Sequence, residues 1–163
     1  RRQRQMCIRD RSFTRGICKG RLIVVFGCAS ERDVVKRPMM GKIAGEHADI
    51  TILTAEDPRR ERAEDINAQI IPGLLEAGAE EFPFASIGEL SSEEARMSLS
   101  EHFPLFLNIP DREAAILAAV AISEKDDIVL VCGKGHEKTM CIGTVETPWS
   151  DQESVQRAVQ KVG

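Results

Sequence analysis

Asp127-Ile-Val-Leu-Val-Cys-Gly-Lys-Gly-His-Glu137 governs how the rest of this chain is read, because an apolar run of strand length empties into two glycines that bracket Lys134. At the carboxyl end of a buried strand, such a turn lets backbone N–H groups and charged side chains meet a small ligand without Cβ atoms in the way. Two earlier runs end in the same manner. Leu22-Ile-Val-Val-Phe26 empties into Gly27-Cys-Ala-Ser-Glu-Arg-Asp33, and Ile50-Thr-Ile-Leu-Thr-Ala55 empties into Glu56-Asp-Pro-Arg59. Three strands are therefore expected to end on one rim.

Between these runs the apolar period changes to that of a helix. One helix is expected over 36–48 with Met39, Met40, Ile43, Ala44 and His47 on its inner stripe. A second is expected over 63–77 with Ala63, Ile66, Ile70 and Leu74 inward, where Pro72 predicts a kink or an early end. Phe82-Pro-Phe84 reads as a short strand, Ser91-Ser-Glu-Glu94 as a helix start, and 103–109 as a strand ahead of Pro110. Asp111 suits the N-cap of a helix from Arg112 to Ser123 that is buried on most sides. After the glycine turn come a short strand at about 139–144 and a last helix, capped by Ser150 or Asp151, with Val155, Ala158, Val159 and Val162 facing inward. This alternation specifies an α/β fold: a three-layer αβα arrangement around an open, mostly parallel, Rossmann-like sheet with helices on both faces. In such sheets a ligand sits outside the carboxyl ends of the strands, where strand order reverses.

The 163 residues fit one domain, and 42% apolar with 29% charged residues excludes the disordered and membrane classes. No window approaches the ~18 apolar residues of a membrane span, and no secretory signal series is present, so the cytoplasm is the expected compartment. Five cysteines, an odd number without a C-x-x-C pair, support neither a disulfide framework nor a zinc site and read as reduced thiols. The net charge of −4 hides an asymmetry, since residues 1–20 hold seven cationic residues and one acidic residue, leaving −10 on the remaining 143. An acidic body excludes a nucleic-acid surface, and no membrane contact is expected. The basic stretch 1–19 could serve as a tether, but it has no apolar period and reads as a disordered or non-native arm, a truncation or cloning scar, with the domain occupying 20–163.

Each rim motif carries chemistry. Gly133-Lys-Gly-His-Glu137 lacks the spacing of a nucleotide P-loop; it offers a cation, a titratable ring and a carboxylate in five residues, so Lys134 and His136 are candidates for contact with a phosphate or nucleotide. The bland alternative is a sharp turn with solvated charges. Glu56-Asp-Pro-Arg59 joins two anions to a cation across a proline that stiffens their presentation. Such a loop can grip a zwitterion, carboxylates taking an ammonium group and the guanidinium a carboxylate. Its alternative is a turn into the next helix, with Glu61 and Glu64 placed favourably at that helix's amino end. After the first strand an anion would find a helix amino terminus with Arg32, Lys36 and Arg37 nearby, and Arg32 is the strongest candidate of the three. His47 and His102 have no partners at ligand spacing and read as structural, no metal site is expected, and nothing resembling G-x-S-x-G marks a nucleophile.

In order and combination these motifs resemble the C-terminal domain of the Mur ligases, most closely the UDP-N-acetylmuramoyl-tripeptide synthetase branch. That branch carries G-C-G-G-D-R-D, then D-N-P-R, then G-K-G-H-E. The likeness extends to Lys36-Arg-Pro38, to Asp111-Arg112 and to Pro148-Trp-Ser-Asp151, over about residues 20–162. The resemblance implies an ATP-dependent amide-bond ligase of peptidoglycan synthesis, in which a carboxylate of a UDP-linked muramoyl peptide is phosphorylated and an incoming amino acid attacks the acyl phosphate. By motif position it implies that Arg32 and Arg59 hold amino-acid carboxylates. Glu56, Asp57, Glu137 and the backbone of Gly133 would hold ammonium groups, with diaminopimelate as the first candidate ligand. It implies no catalytic residue on this chain, and places ATP and Mg2+ mainly on a central domain absent from these 163 residues, so the chain is expected to be inactive alone. Glu-Asp-Pro-Arg in place of D-N-P-R replaces an amide with an acceptor-only carboxylate and leaves the choice of amino acid open. Two other readings stand beside this one: the equivalent domain of a folylpolyglutamate or cyanophycin synthetase-like ligase, and a free-standing α/β module that binds a small anion or a protein without catalysis.

Overall fold

Side chains along a strand point alternately to two faces, and here each face has its own core. The computed structural model describes residues 14–31 and 34–163. Strands β1 (Leu22–Phe26), β2 (Ile50–Leu53), β3 (Glu80–Glu81), β4 (Leu105–Asn108) and β5 (Ile128–Val131) form a parallel sheet in the order β3-β4-β2-β1-β5. Ile23, Val25, Ile52 and Leu107 face helices α3 (Glu93–Glu101), α4 (Arg112–Ile122) and α5 (Asp151–Val162). Leu22, Val24, Phe26 and Phe106 face α1 (Lys36–His47) and α2 (Ala63–Glu76). This is the three-layer αβα arrangement expected from the alternating periods.

From β1 the chain steps to β2 through α1 and onward through α2, both on one face. It then returns through α4, on the other face, past β2 and β1 to β5. Strand order thus reverses at β1, and the connections leave its neighbourhood on opposite faces, which opens a crevice at the carboxyl ends of β1, β2 and β5. The amino ends are closed by a latch: Arg21 donates from Nε and Nη2 to Asp127 Oδ2 at 3.0 and 2.6 Å, and from Nη2 to Ile122 O at 2.8 Å.

Several elements differ from expectation. The stripe of α1 is not apolar: Met39 is 44% exposed, and the buried residues are Arg37, Gly41, Ala44 and Gly45. The reason lies in α2, whose backbone comes so close that a Cβ on Gly73 would sit 1.8 Å from Pro38 O and 2.7 Å from Lys42 N. Only a bare Cα fits there. Helix α2 runs through Pro72 to Glu76 rather than stopping early. The strand expected at Phe82-Pro-Phe84 lies two residues earlier, at Glu80–Glu81, because Pro83 has no N–H for the ladder; Phe82 and Phe84 pack on the core instead. The strand near 139–144 is β6 (Thr139–Ile142), which pairs antiparallel with an unexpected β7 (Val145–Pro148) outside the main sheet. In α5, Val159 and Val162 are exposed, and Asp151, Ser154 and Ala158 take the inner face. Asp111 and Ser150 cap α4 and α5 as expected, accepting from Ala114 N and Glu153 N; Ser92 caps α3, accepting from Ala95 N.

Residues 1–13 of the basic arm lie outside the described residues. Residues 14–19, assigned with it, touch the domain: Arg15 pairs with Asp49, and Cys18 packs against the α1 and α2 core. Among the described residues no helix is long and apolar enough to cross a membrane.

Candidate functional site

Burying a lysine costs free energy unless its charge is met, and Lys134 is 2% exposed. Its Nζ lies 2.5 Å from Asp57 Oδ1 and 2.6 Å from Glu137 Oε2, and donates to Thr139 O at 2.8 Å. Burial pulls its pKa down, but the hydrogen bonds and charges of Asp57 and Glu137 outweigh that, and the ammonium pKa stands above its ordinary value. One ammonium therefore ties the loop after β2 to the turn after β5. Gly133 sits at φ 110, and a Cβ there would lie 3.1 Å from Glu56 Cγ and Cδ. Thus Glu56, Asp57, Gly133, Lys134 and Glu137 are gathered at one corner, with the Asp57 and Glu137 carboxylates on the buried ammonium of Lys134.

Arg59 joins that corner through the β6–β7 hairpin. It takes φ 47, donates its N–H to Cys141 O at 3.1 Å and accepts from Gly143 N at 2.7 Å, while Cys141 N donates to Asp57 Oδ1 at 2.9 Å. Its side chain stays exposed. His136 is exposed as well. Arg32 lies outside the described residues, but the loop that leads to it is fixed: Ser30 N donates to Asp57 O at 2.9 Å.

Glu61 reinforces this link. It accepts from Ser30 Oγ at 2.9 Å, Glu31 N at 3.0 Å and, through both carboxylate oxygens, from Arg37 at 2.8 and 2.9 Å. The Arg37 guanidinium first, then the Glu31 N–H, hold its carboxyl at about 2, against an ordinary 4.5. A carboxyl lowered on folding adds stability that is present above its unfolded pKa and is lost as pH falls through the folded one. Stability should accordingly drop between about pH 4.5 and about 2, with Asp127, whose carboxyl is also depressed despite its burial, contributing to the same loss. Urea unfolding of Glu61→Gln at neutral and acid pH should show a shallower acid loss than the native chain; equal slopes would contradict the assignment.

Beneath both corners lies Arg112, also 2% exposed. Nε and Nη2 donate to the two oxygens of Asp151 at 2.8 and 2.7 Å, Nη1 donates to Ala55 O at 2.9 Å, and Nη2 also donates to Cys132 O at 2.8 Å. Those two carbonyls immediately precede Glu56 and Gly133. Trp149 Nε1 donates to the same Asp151 at 2.8 Å. Sequence reasoning placed Arg112 at a helix start, Asp151 at a possible cap and Trp149 only within the family likeness, gave none of them a role at the site, and read Glu61 only as a charge at a helix end. A signal was present: Arg112 opens a helix that is otherwise apolar beyond Glu113, and an arginine buried with such a helix must find an anion.

Residues 11–135 match the family described as Mur ligase, glutamate ligase domain. A UDP-N-acetylmuramyl-tripeptide synthetase of Roseiflexus sp. (strain RS-1) is 40% identical over 151 residues, 93% of this chain and 26% of that protein. A UDP-N-acetylmuramoyl-L-alanyl-D-glutamate--2,6-diaminopimelate ligase of Lawsonia intracellularis (strain PHE/MN1-00) is 36% identical over 137 residues, covering 84% of this chain and 23% of that one. A solved structure of a ligase with that same name superposes with a TM-score of 0.74 at 29% identity, covering 96% of this chain and 27% of the other. The chain therefore spans about a quarter of the length of the curated relatives it matches.

Proposed function

Because this chain belongs to the Mur ligase family, we propose that it is the amino-acid-binding domain of an ATP-dependent amide-bond ligase. That ligase adds a diaminopimelate-like amino acid to a UDP-linked muramoyl dipeptide, through an acyl phosphate, in peptidoglycan synthesis. The observation that carries the reading is the corner itself. Asp57 and Glu137, which already hold the buried ammonium of Lys134, show that this corner suits an ammonium group, while the exposed guanidinium of Arg59, two residues after Asp57, favours a carboxylate. A zwitterion satisfies both, and the second guanidinium, Arg32, is assigned to the far carboxylate of a dicarboxylic amino acid. The name of the Lawsonia relative specifies 2,6-diaminopimelate, that of the Roseiflexus relative no amino acid, and this chain's Asp57, where the family run has an asparagine, has its added charge met by Lys134.

Lys134 takes a different part from the phosphate contact first considered. Its donors are directed to Asp57, Glu137 and Thr139, so it organises the acids, and His136 is left as the exposed member of that pair. The described residues contain no group of three or more His, Cys, Asp or Glu arranged to hold a metal ion, and the sequence carries no P-loop. ATP and Mg2+ belong to the proposal for the larger ligase, as does its cytoplasmic setting.

Titration of diaminopimelate into the chain, followed by amide chemical shifts, should show weak binding centred on the loops after β2 and β5. Arg59→Ala should weaken it about tenfold, the worth of one hydrogen bond between charged groups, with melting unchanged because the side chain is solvated. No shifts at saturating ligand, or equal affinity in the variant, would overturn the reading.

A further inference from the structure

We propose that the β6–β7 hairpin is a positioning splint for Arg59, aiming its guanidinium through backbone bonds along the outer edge of β6. The inference rests on the amino-acid-binding reading above, which makes Arg59 a carboxylate contact. It adds Cys141 and Gly143, which have no ligand contact in that reading, as the residues that hold Arg59 in place.

Arg59 needs such support. Its side chain is exposed, so where the guanidinium lies depends on the backbone that carries it. That backbone stands at φ 47, a conformation that residues other than glycine leave unless their surroundings hold them there. Glu61 N donates to Pro58 O at 2.9 Å and closes a turn in which Arg59 takes the first central place; with a positive φ, that place ordinarily goes to glycine. An arginine is thus kept where a glycine would be less strained. The hold comes from β6. Arg59 N donates to Cys141 O at 3.1 Å and Gly143 N donates to Arg59 O at 2.7 Å, which makes Arg59 and Ile142 one parallel rung. Both peptide groups flanking Arg59 are therefore pinned to the hairpin. Cys141 N, on the same outer edge, donates to Asp57 Oδ1 at 2.9 Å and ties down the residue before Pro58. The hairpin is anchored in turn: Met140 and Cys141 are buried, and Thr139 O accepts from Lys134 Nζ at 2.8 Å. Gly143 opens the turn into β7 at φ 64, and a Cβ built there finds nothing within 4 Å. A substitution at 143 therefore acts through the backbone conformation it disfavours.

The test is a double-mutant cycle in the 163-residue chain: native, Gly143→Val, Arg59→Ala and the pair, with Gly143→Asn as a fifth protein. Each is titrated with diaminopimelate, and amide hydrogen exchange is followed at Arg59 and Cys141, with β1 amides as the control for an intact fold. A β-branched residue resists positive φ, so Gly143→Val should break the rung. Exchange at Arg59 and Cys141 should accelerate at least about tenfold, with β1 unchanged. Binding should weaken about fivefold, approaching the effect of Arg59→Ala, because the guanidinium is then in place in only a fraction of the molecules. In the Arg59→Ala background the same change should weaken binding less than about twofold, since both act on one contact. Asparagine tolerates positive φ, so Gly143→Asn should bring binding and exchange back to within about twofold of the native chain. Equal weakening by Gly143→Val in both backgrounds, unaltered exchange at Arg59 and Cys141, or an asparagine variant as weak as the valine one would overturn the splint. Should the native chain fail to bind diaminopimelate, the amino-acid reading fails, and exchange at Arg59 and Cys141 alone upholds or overturns the splint.

Discussion

Replacing Arg112 with methionine should cost about 3–5 kcal/mol of stability, the range found when one partner of a buried ion pair is removed and the other is left behind. Asp151, 6% exposed, would lose both guanidinium hydrogen bonds and retain the Trp149 indole donor. The carbonyls of Ala55 and Cys132 would each lose a charged donor. Since whole domains are stable by about 5–15 kcal/mol, the loss would be a large share of the total. The site should loosen with it, because those carbonyls fix the departure of the Glu56 loop relative to the Gly133 turn. Urea unfolding measures the first effect. The pair Arg112→Met with Asp151→Leu separates a charge effect from a packing effect: removing both charges should restore most of the loss. A single variant within about 1 kcal/mol of the native chain would contradict the role assigned to this arginine.

The second large effect is expected at Gly73. On helix propensity alone, Gly73→Ala should stabilise the chain by about 1 kcal/mol. The structure requires the opposite sign. The new Cβ would overlap Pro38 O at 1.8 Å and crowd Lys42 N at 2.7 Å, and both are backbone atoms that cannot swing aside as a side chain can. Overpacking of this kind costs about 1–3 kcal/mol, occasionally more, so a net destabilisation of about 2 kcal/mol is expected, visible as an earlier urea midpoint. A stabilised variant would mean that α1 and α2 are not in backbone contact.

What could be read from the sequence follows from how each signal is written. β1, β2 and β5 were legible because each is a short apolar run that stops at glycine or proline, and their shared rim followed from the parallel topology. That Glu56, Asp57 and Glu137 would lie at one corner was legible from charges placed at strand ends, with Gly133 marking the turn between them. The inner face of α1 was not, because it is made by Gly41 and Gly45, which carry no apolar signal, whereas Met39 does and is exposed. Nor was β7, whose Val145-Glu-Thr-Pro148 has neither length nor alternation. The joints under the site were hidden for a different reason. Arg37 and Glu61 are 24 residues apart, and Arg112 and Asp151 are 39; only the tertiary fold pairs them. Lys134 illustrates the limit, since a lysine in a glycine turn reads as a ligand contact until its burial and its two carboxylate partners are known.

The contact between α1 and α2 reaches beyond stability. These helices leave the crevice directly after the first and second rim loops, and with their backbones touching they form a single slab rather than two adjustable struts. Any displacement of one helix therefore carries the other, and the described rim residues that precede them, Glu31 and Glu56–Arg59, move as one piece.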